Sequence, residues 1–226
     1  MEILKTPTVQ WGAAAAPQPG RKTPTLQWGA AEAPLPGQNE SGDRFLVEPF
    51  NNGVLIAVVD ALGHGHRAAQ IAAQTIDTLA RHACDSVTAL VRRCHEMLHD
   101  RHGATMSLAS LDWPSRRMTW LGIGNVAGVL VPHAFVAEAR VKHLLVRGGV
   151  VGGDLPDLQP STIMLAHGDT LIVATDGIDE QFADQLPQDL TPQPLAEHIF
   201  AHYAKSTDDA LVLVARYGVA ADERGP

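Results

Sequence analysis

The stretch Val54-Leu55-Ile56-Ala57-Val58-Val59-Asp60-Ala61-Leu62-Gly63-His64-Gly65 decides the fold. Its aliphatic run has no polar alternation, which suits a strand buried on both faces, and Asp60 ends the run where the chain turns toward solvent. Two glycines bracketing His64 lead into His66-Arg67-Ala68-Ala69-Gln70-Ile71-Ala72-Ala73-Gln74-Thr75-Ile76, an Ala-rich segment with apolar residues at helical spacing. The unit reads strand, carboxylate, glycine turn, helix. A carboxylate delivered by a rigid strand end is a candidate metal ligand or catalytic group.

Three other acids sit in similar settings. Leu171-Ile172-Val173-Ala174-Thr175-Asp176-Gly177 is again an apolar run ending in Asp-Gly, and Asp208-Asp209 stands directly before the strand-like Ala210-Leu211-Val212-Leu213-Val214-Ala215. Asp43 follows Gly42 and precedes Arg44-Phe45-Leu46-Val47. Acids at strand termini can converge on one end of a sheet. Oxygen-only ligation without Cys or paired His favours a hard divalent cation, Mg²⁺ or Mn²⁺, over zinc.

Outward from that centre, strands are predicted at 44–49 and 54–59 around the turn Asn51-Asn52-Gly53, a hairpin signal. Helices follow at 66–82 and 86–101, the second with Val87, Leu90, Val91, Cys94 and Leu98 on one face. Strands are expected at 104–111, 118–123 and 126–131, shorter ones at 141–146 and 161–165, then the strand before Asp176, a helix at 194–204 and a last strand at 210–216. Many strands with a central helical pair predict an α+β sandwich.

The N-terminal segment carries a tandem duplication, Lys5-Thr6-Pro7-Thr8-Val9-Gln10-Trp11-Gly12 recurring as Lys22-Thr23-Pro24-Thr25-Leu26-Gln27-Trp28-Gly29. Two short Pro/Ala-rich copies do not make a solenoid, which needs at least three stacking units. The second copy is expected to form a short edge strand leading into the Asp43 strand, which leaves the first copy without a sheet position. Residues 1–21 are therefore expected to be poorly ordered or peripheral, the domain to span 22–218, and 219–226 to be a tail.

With 226 residues the chain has room for one domain with a sizeable core. A formal net charge of -8 without a Lys/Arg cluster argues against a nucleic-acid partner. No apolar run approaches the roughly 20 residues of a membrane span, and no secretion signal is evident, so a cytoplasmic location is expected. Cys84 and Cys94 are expected to be reduced and buried.

Gly63-x-Gly65-x-x-Ala68 after a strand also matches a dinucleotide-binding fingerprint. Against that, Asp60-Ala61-Leu62 intervenes before the first glycine, and a second helix stands where a strand ending in a ribose-binding acid should be. Taken singly, Asp176-Gly177 and Asp208-Asp209 read as turn residues, and His64 and His66 as helix-start residues.

Their order carries more. Gly42-Asp43, Asp60-Ala61-Leu62-Gly63-His64-Gly65, Arg101-His102-Gly103-Ala104-Thr105, Gly124-Asn125-Val126, Thr175-Asp176-Gly177 and Asp208-Asp209 before a terminal strand resemble the metal-dependent PPM (protein phosphatase 2C-like) family in its bacterial SpoIIE-type branch. Within that branch the chain looks most like the small stand-alone members of stressosome pathways. The resemblance runs from about Gly37 to Tyr217 and excludes the repeat. It implies a four-layer αββα sandwich with two Mn²⁺ or Mg²⁺ ions at one end. By motif position, Asp60 bridges both ions, the Ala61 carbonyl binds one, Asp176 and Asp208 hold the other, and Asp43 acts on the second directly or through water. Asp60 and Asp176 would then be catalytic through a water activated by the ions, which attacks phosphorus in line. Backbone amides of Gly63, His64 and Gly65 would take phosphate oxygens.

The chain departs from the family in Ala61, where Gly is common, and in Leu62, where animal-type enzymes place a histidine. That histidine's proposed acid role is not transferred to His64. Arg67 and Arg101 are the basic residues available near the motifs. The resemblance implies a phosphoserine or phosphothreonine substrate on a STAS-domain stressosome or partner-switching protein, regulated through partners rather than an attached sensor. The alternative is a catalytically inactive PPM-like module that binds such a regulator.

Overall fold

The computed structural model describes residues 7–15, 24–133, 141–187 and 189–219. In chain order the elements are β1 (Thr8–Ala15), β2 (Pro24–Ala33), β3 (Asp43–Phe50), β4 (Gly53–Ala61), α1 (His66–Arg81), α2 (Val87–Leu98), β5 (Ala104–Asp112), β6 (Arg117–Ile123) and β7 (Ala127–Val131). Then come β8 (Lys142–His143), β9 (Val146–Arg147), β10 (Ser161–Met164), β11 (Thr170–Ala174), a 3-10 turn (Glu180–Asp184), α3 (Pro192–Tyr203) and β12 (Ala210–Val219).

They form two sheets, one ordered β1-β2-β12-β11-β7-β8 and the other β10-β6-β5-β4-β3 with β9 beside β6. Every pairing except β6·β9 is antiparallel, which excludes the dinucleotide-binding reading and its parallel sheet. The aliphatic run of β4 explains the layering. Val54, Ile56 and Val58 point into the space between the sheets, with Trp120, Leu211 and Leu213. Leu55, Ala57 and Val59 point the other way, under Ile71 and Leu79 of α1 and Leu90 and Leu98 of α2. On the far side Ile172, Val212 and Val214 are covered by Leu195, Ile199 and Phe200 of α3. The result is the expected four-layer αββα sandwich. Burial of each such aliphatic or aromatic side chain stabilises it by about 1.5–3 kcal/mol.

Local signals set the helix ends. The Ser86 side chain caps α2 by accepting from Ala89 N, and Pro192 opens α3, where a missing N–H costs nothing.

Three expectations are corrected. First, the leading repeat copy does have a sheet position: β1 is the edge strand, and β2 lies inside the sheet between β1 and β12 rather than at its edge. The two copies pair antiparallel with each other, Gly12 opposite Trp28 and Trp11 opposite Gly29. A Cβ on Gly12 would meet the Trp28 ring at 2.7 Å, so the indole lies over the glycine of the other copy and packs edge-on against Phe45 at 5.5 Å. Residues 1–6, 16–23 and 220–226, on which part of the terminal expectations fell, lie outside the described residues.

Second, the strand expected at 141–146 is two short pieces in different sheets. The chain crosses between them at Leu144 and Leu145, where Leu144 N donates to Gly128 O and Trp120 Nε1 donates to Leu145 O. Third, both cysteines are free thiols, but Cys84 is exposed and only Cys94 is buried.

Candidate metal centre

Asp43 and Asp60 come from one sheet, directly opposite each other where β3 begins and β4 ends, and Thr105 of β5 faces Asp60 on the other side. Asp176 follows β11 and Asp208 precedes β12, both from the other sheet. The end of the sandwich thus collects acids from both layers. Asp43 is buried, Asp60 half-buried, and Asp176 and Asp208 are exposed.

The acids stand close enough to perturb one another. Burial, then the Asp176 charge, pushes Asp60 up to about 7, against an opposing hydrogen bond from Asn125. Burial, then the Asp60 charge, holds Asp43 well above the usual carboxylate range. Asp208 is raised by burial and by Asp176 and Asp209. Among the described residues, no salt bridge compensates any of these four carboxylates.

Two hydrogen-bonded clips lace the sheets together here. Thr175 Oγ1 donates to Asp43 Oδ2 at 2.7 Å and accepts from Leu211 N at 3.0 Å. Asn125, in the crossover from β6 to β7, donates from Nδ2 to Asp176 Oδ2 at 2.6 Å and also bonds Asp60, while the Thr105 hydroxyl donates to Asn125 Oδ1. Sequence reading quoted Thr105, Asn125 and Thr175 without giving them a role. The available signal was a polar residue at or beside one end of each apolar run.

Asp208 and Asp209 divide their tasks. Asp209 is buried, and its two oxygens accept from Leu35 N and Gly42 N, each at 2.6 Å. It braces the loop that leads into Asp43. Asp208 faces solvent and accepts from Asp209 N at 2.8 Å, which leaves it as the member of the pair open to a ligand.

Ala61 N donates to Gly42 O at 3.1 Å and Leu62 N to Gly103 O at 3.0 Å, so the backbone after Asp60 is braced on both sides. Gly63 and Gly65 have φ of 93° and 72°, values glycine adopts without strain. Gly65 precedes α1 with no side-chain cap, and His64 is exposed within electrostatic reach of Asp208. Of the two arginines singled out, Arg67 is exposed on the first turn of α1, and Arg101 Nη1 donates to Gln74 Oε1 at 2.9 Å, along α1.

Among the described residues, no three Asp, Glu, His or Cys side chains form a ready-made ligand cage. Asn125 stands between Asp60 and Asp176 instead. The donor set nevertheless fits hard divalent cations: it is all oxygen, drawn from both sheets, mutually repelling and, among the described residues, without a salt-bridge partner. Beside Asp176 opens a cavity of about 260 Å³ lined by Asn125, Ala127, Asp176, Glu180, Phe182 and Lys205 among others.

An αββα sandwich with acids gathered at one end is the PPM-type phosphatase fold. A crystal structure of RsbX in complex with magnesium superposes with a TM-score of 0.75 at 19% identity, covering 92% of this chain and all of that one. The catalytic domain of the serine/threonine phosphatase PstP with two manganese ions superposes at 0.65 with 16% identity, covering 86% and 99%. A chain from the bacterial stressosome reaches 0.76 at 25% identity, covering 84% and 99%.

The model of the Stage II sporulation protein E (SpoIIE) family matches residues 51–218, and the chain belongs to that family. In sequence it is 27% identical over 138 residues to the phosphoserine phosphatase RsbX of Bacillus subtilis (strain 168), 61% of this chain and 67% of that protein.

Proposed function

We propose that this protein is a metal-dependent phosphoserine/phosphothreonine protein phosphatase acting on a STAS-domain stressosome or partner-switching protein in the cytoplasm. The observation that carries the reading is the gathering of Asp43, Asp60, Asp176 and Asp208 from two sheets at one end of the sandwich, with no salt bridge to any of them among the described residues. These four and the Ala61 carbonyl would hold two divalent cations, Mg²⁺ or Mn²⁺. Bound there, the cations supply Lewis acidity, which lowers the pKa of water toward neutrality and offsets phosphate charge.

The protein's part is positioning. Thr175 orients Asp43, and Asn125 orients Asp60 and Asp176. Backbone amides of Gly63, His64 and Gly65, at the start of α1, take phosphate oxygens. Asp60 and Asp176 are catalytic in the sense that they hold the activating charge. The exposure of Asp176 and Asp208 suits a phosphorylated side chain presented on a protein surface rather than a small molecule enclosed in a deep pocket. No helix among the described residues is long and apolar enough to cross a membrane, and the charge of -8 gives nucleic-acid phosphate no attraction.

The phosphoserine phosphatase relative and the stressosome neighbour support the substrate class. With Mn²⁺ present, a serine-phosphorylated STAS-domain protein should be dephosphorylated with a kcat/KM at least about tenfold above that of a phosphoserine peptide of the same local sequence, a difference of about 1.4 kcal/mol in docking. Equal rates on both would remove the STAS-domain assignment and leave the phosphatase in place.

A further inference from the structure

We propose that Lys205 is the phosphate-binding cation of this site. The inference rests on the phosphatase reading and names the group that receives the substrate's charge. A phosphomonoester carries up to two negative charges at neutral pH and must approach a cluster of carboxylates. A fixed cation at the mouth of such a site offsets the repulsion that bound metals leave.

Several of the nearby cations are already engaged. Arg101 turns along α1 to Gln74, and Arg147 Nη2 is held by Gln159. His66 pairs with Glu40. Arg44 is half-buried, donates to Asp43 O at 2.8 Å and faces the charge of Glu32. Lys205 is exposed, lines the cavity beside Asp176, and forms no salt bridge among the described residues.

The geometry fixes where its ammonium stands. Lys205 N donates to Gly177 O at 2.8 Å, Asp179 N donates to Tyr203 O at 2.8 Å, and Ala204 bridges Ile178. The backbone of 203–205 is therefore tied to the turn that carries Asp176. Lys205 Nζ then donates to Asp176 O at 2.8 Å. An ammonium has three donors, and this bond uses one. Two remain for a phosphate lying in the cavity, next to the acid that holds the cations.

Lys205 could instead serve only to hold the Asp176 turn, and the two roles separate experimentally. In Mn²⁺, Lys205→Ala and Lys205→Gln should raise KM for a phosphoserine peptide and Ki for inorganic phosphate about tenfold each, and Lys205→Arg should restore most of both. Mn²⁺ affinity by calorimetry should stay within about twofold, because the Asp176 carboxylate is untouched. Unchanged KM and Ki overturn the proposal, as does a parallel loss of Mn²⁺ affinity, which would mark Lys205 as a brace. A wild type that turns over nothing in Mn²⁺ rejects the phosphatase reading and this inference with it, whereas active wild type with unaltered Lys205→Ala constants rejects the inference alone.

Discussion

Asp60→Asn leaves at most about one-thousandth of wild-type turnover, about 4 kcal/mol of transition-state stabilisation, and yet makes the metal-free protein harder to melt at alkaline pH. Both effects have one source. Asp60 sits half-buried at the centre of the cluster, in register with Asp43 and bonded by the same Asn125 that holds Asp176. Removing its charge takes away the carboxylate that the other acids surround. In the metal-free protein, however, that charge is a liability. Its folded pKa is raised to about 7, so the native state binds the proton more tightly than the unfolded chain does.

The native state accordingly gains stability below the unfolded value near 4 and loses it as pH climbs through about 7. At about pH 8 in EDTA, Asp60→Asn should exceed wild type by roughly 2–4 kcal/mol, and the two should converge only as pH falls below about 4. Thermal melts across that range check it. With Mn²⁺ added, the order should reverse, since only wild type gains the linkage stabilisation of bound metal. Melting curves that coincide at alkaline pH in EDTA would contradict the crowding of charge described for this site.

Gly177→Ala lowers stability by about 3 kcal/mol or more, roughly 6–12 °C in Tm for a chain of this size. A Cβ at Gly177 would stand 1.9 Å from Asp209 O and 2.9 Å from Ala210 Cα. Neither can retreat easily. Ala210 begins β12, which pairs with β2 on one side and β11 on the other, and the Asp209 side chain is pinned by Leu35 N and Gly42 N. The clash therefore pushes apart the two turns that carry Asp176 and Asp208, so metal affinity should fall with Tm. Melting in EDTA and in Mn²⁺ reads both effects. A Tm within about 2 °C of wild type would show that the two turns are less tightly opposed than they stand here.

The sandwich was legible because β4 left no other choice: its aliphatic residues must be covered on both faces, and helical periodicity on one side with further apolar strands on the other supplies the covers. The ordered acids were legible because each ends or precedes an apolar run. What escaped the sequence is what depends on tertiary neighbours. The Thr175–Asp43 and Asn125–Asp176 bonds join residues 132 and 51 positions apart, and no local pattern marks such pairs. Asp208 and Asp209 are chemically identical, and only the donors Leu35 N and Gly42 N tell the brace from the open carboxylate. The first repeat copy was misplaced because its strand propensity says nothing about which edge is free, and its Trp-over-Gly fit to the second copy appears only once the strands are paired. The segment 141–146 reads as one strand because a change of sheet leaves the residue pattern unaltered.

The most direct test of the account is hydrolysis of a phosphoserine peptide by the purified protein in Mn²⁺, then in EDTA, then with Mn²⁺ restored. The acid cluster predicts turnover in Mn²⁺, its loss in EDTA and its return. Turnover that persists in EDTA, or a folded and Mn²⁺-supplied protein that releases no phosphate, would contradict the metal-dependent phosphatase, the second result favouring a module that only binds its partner.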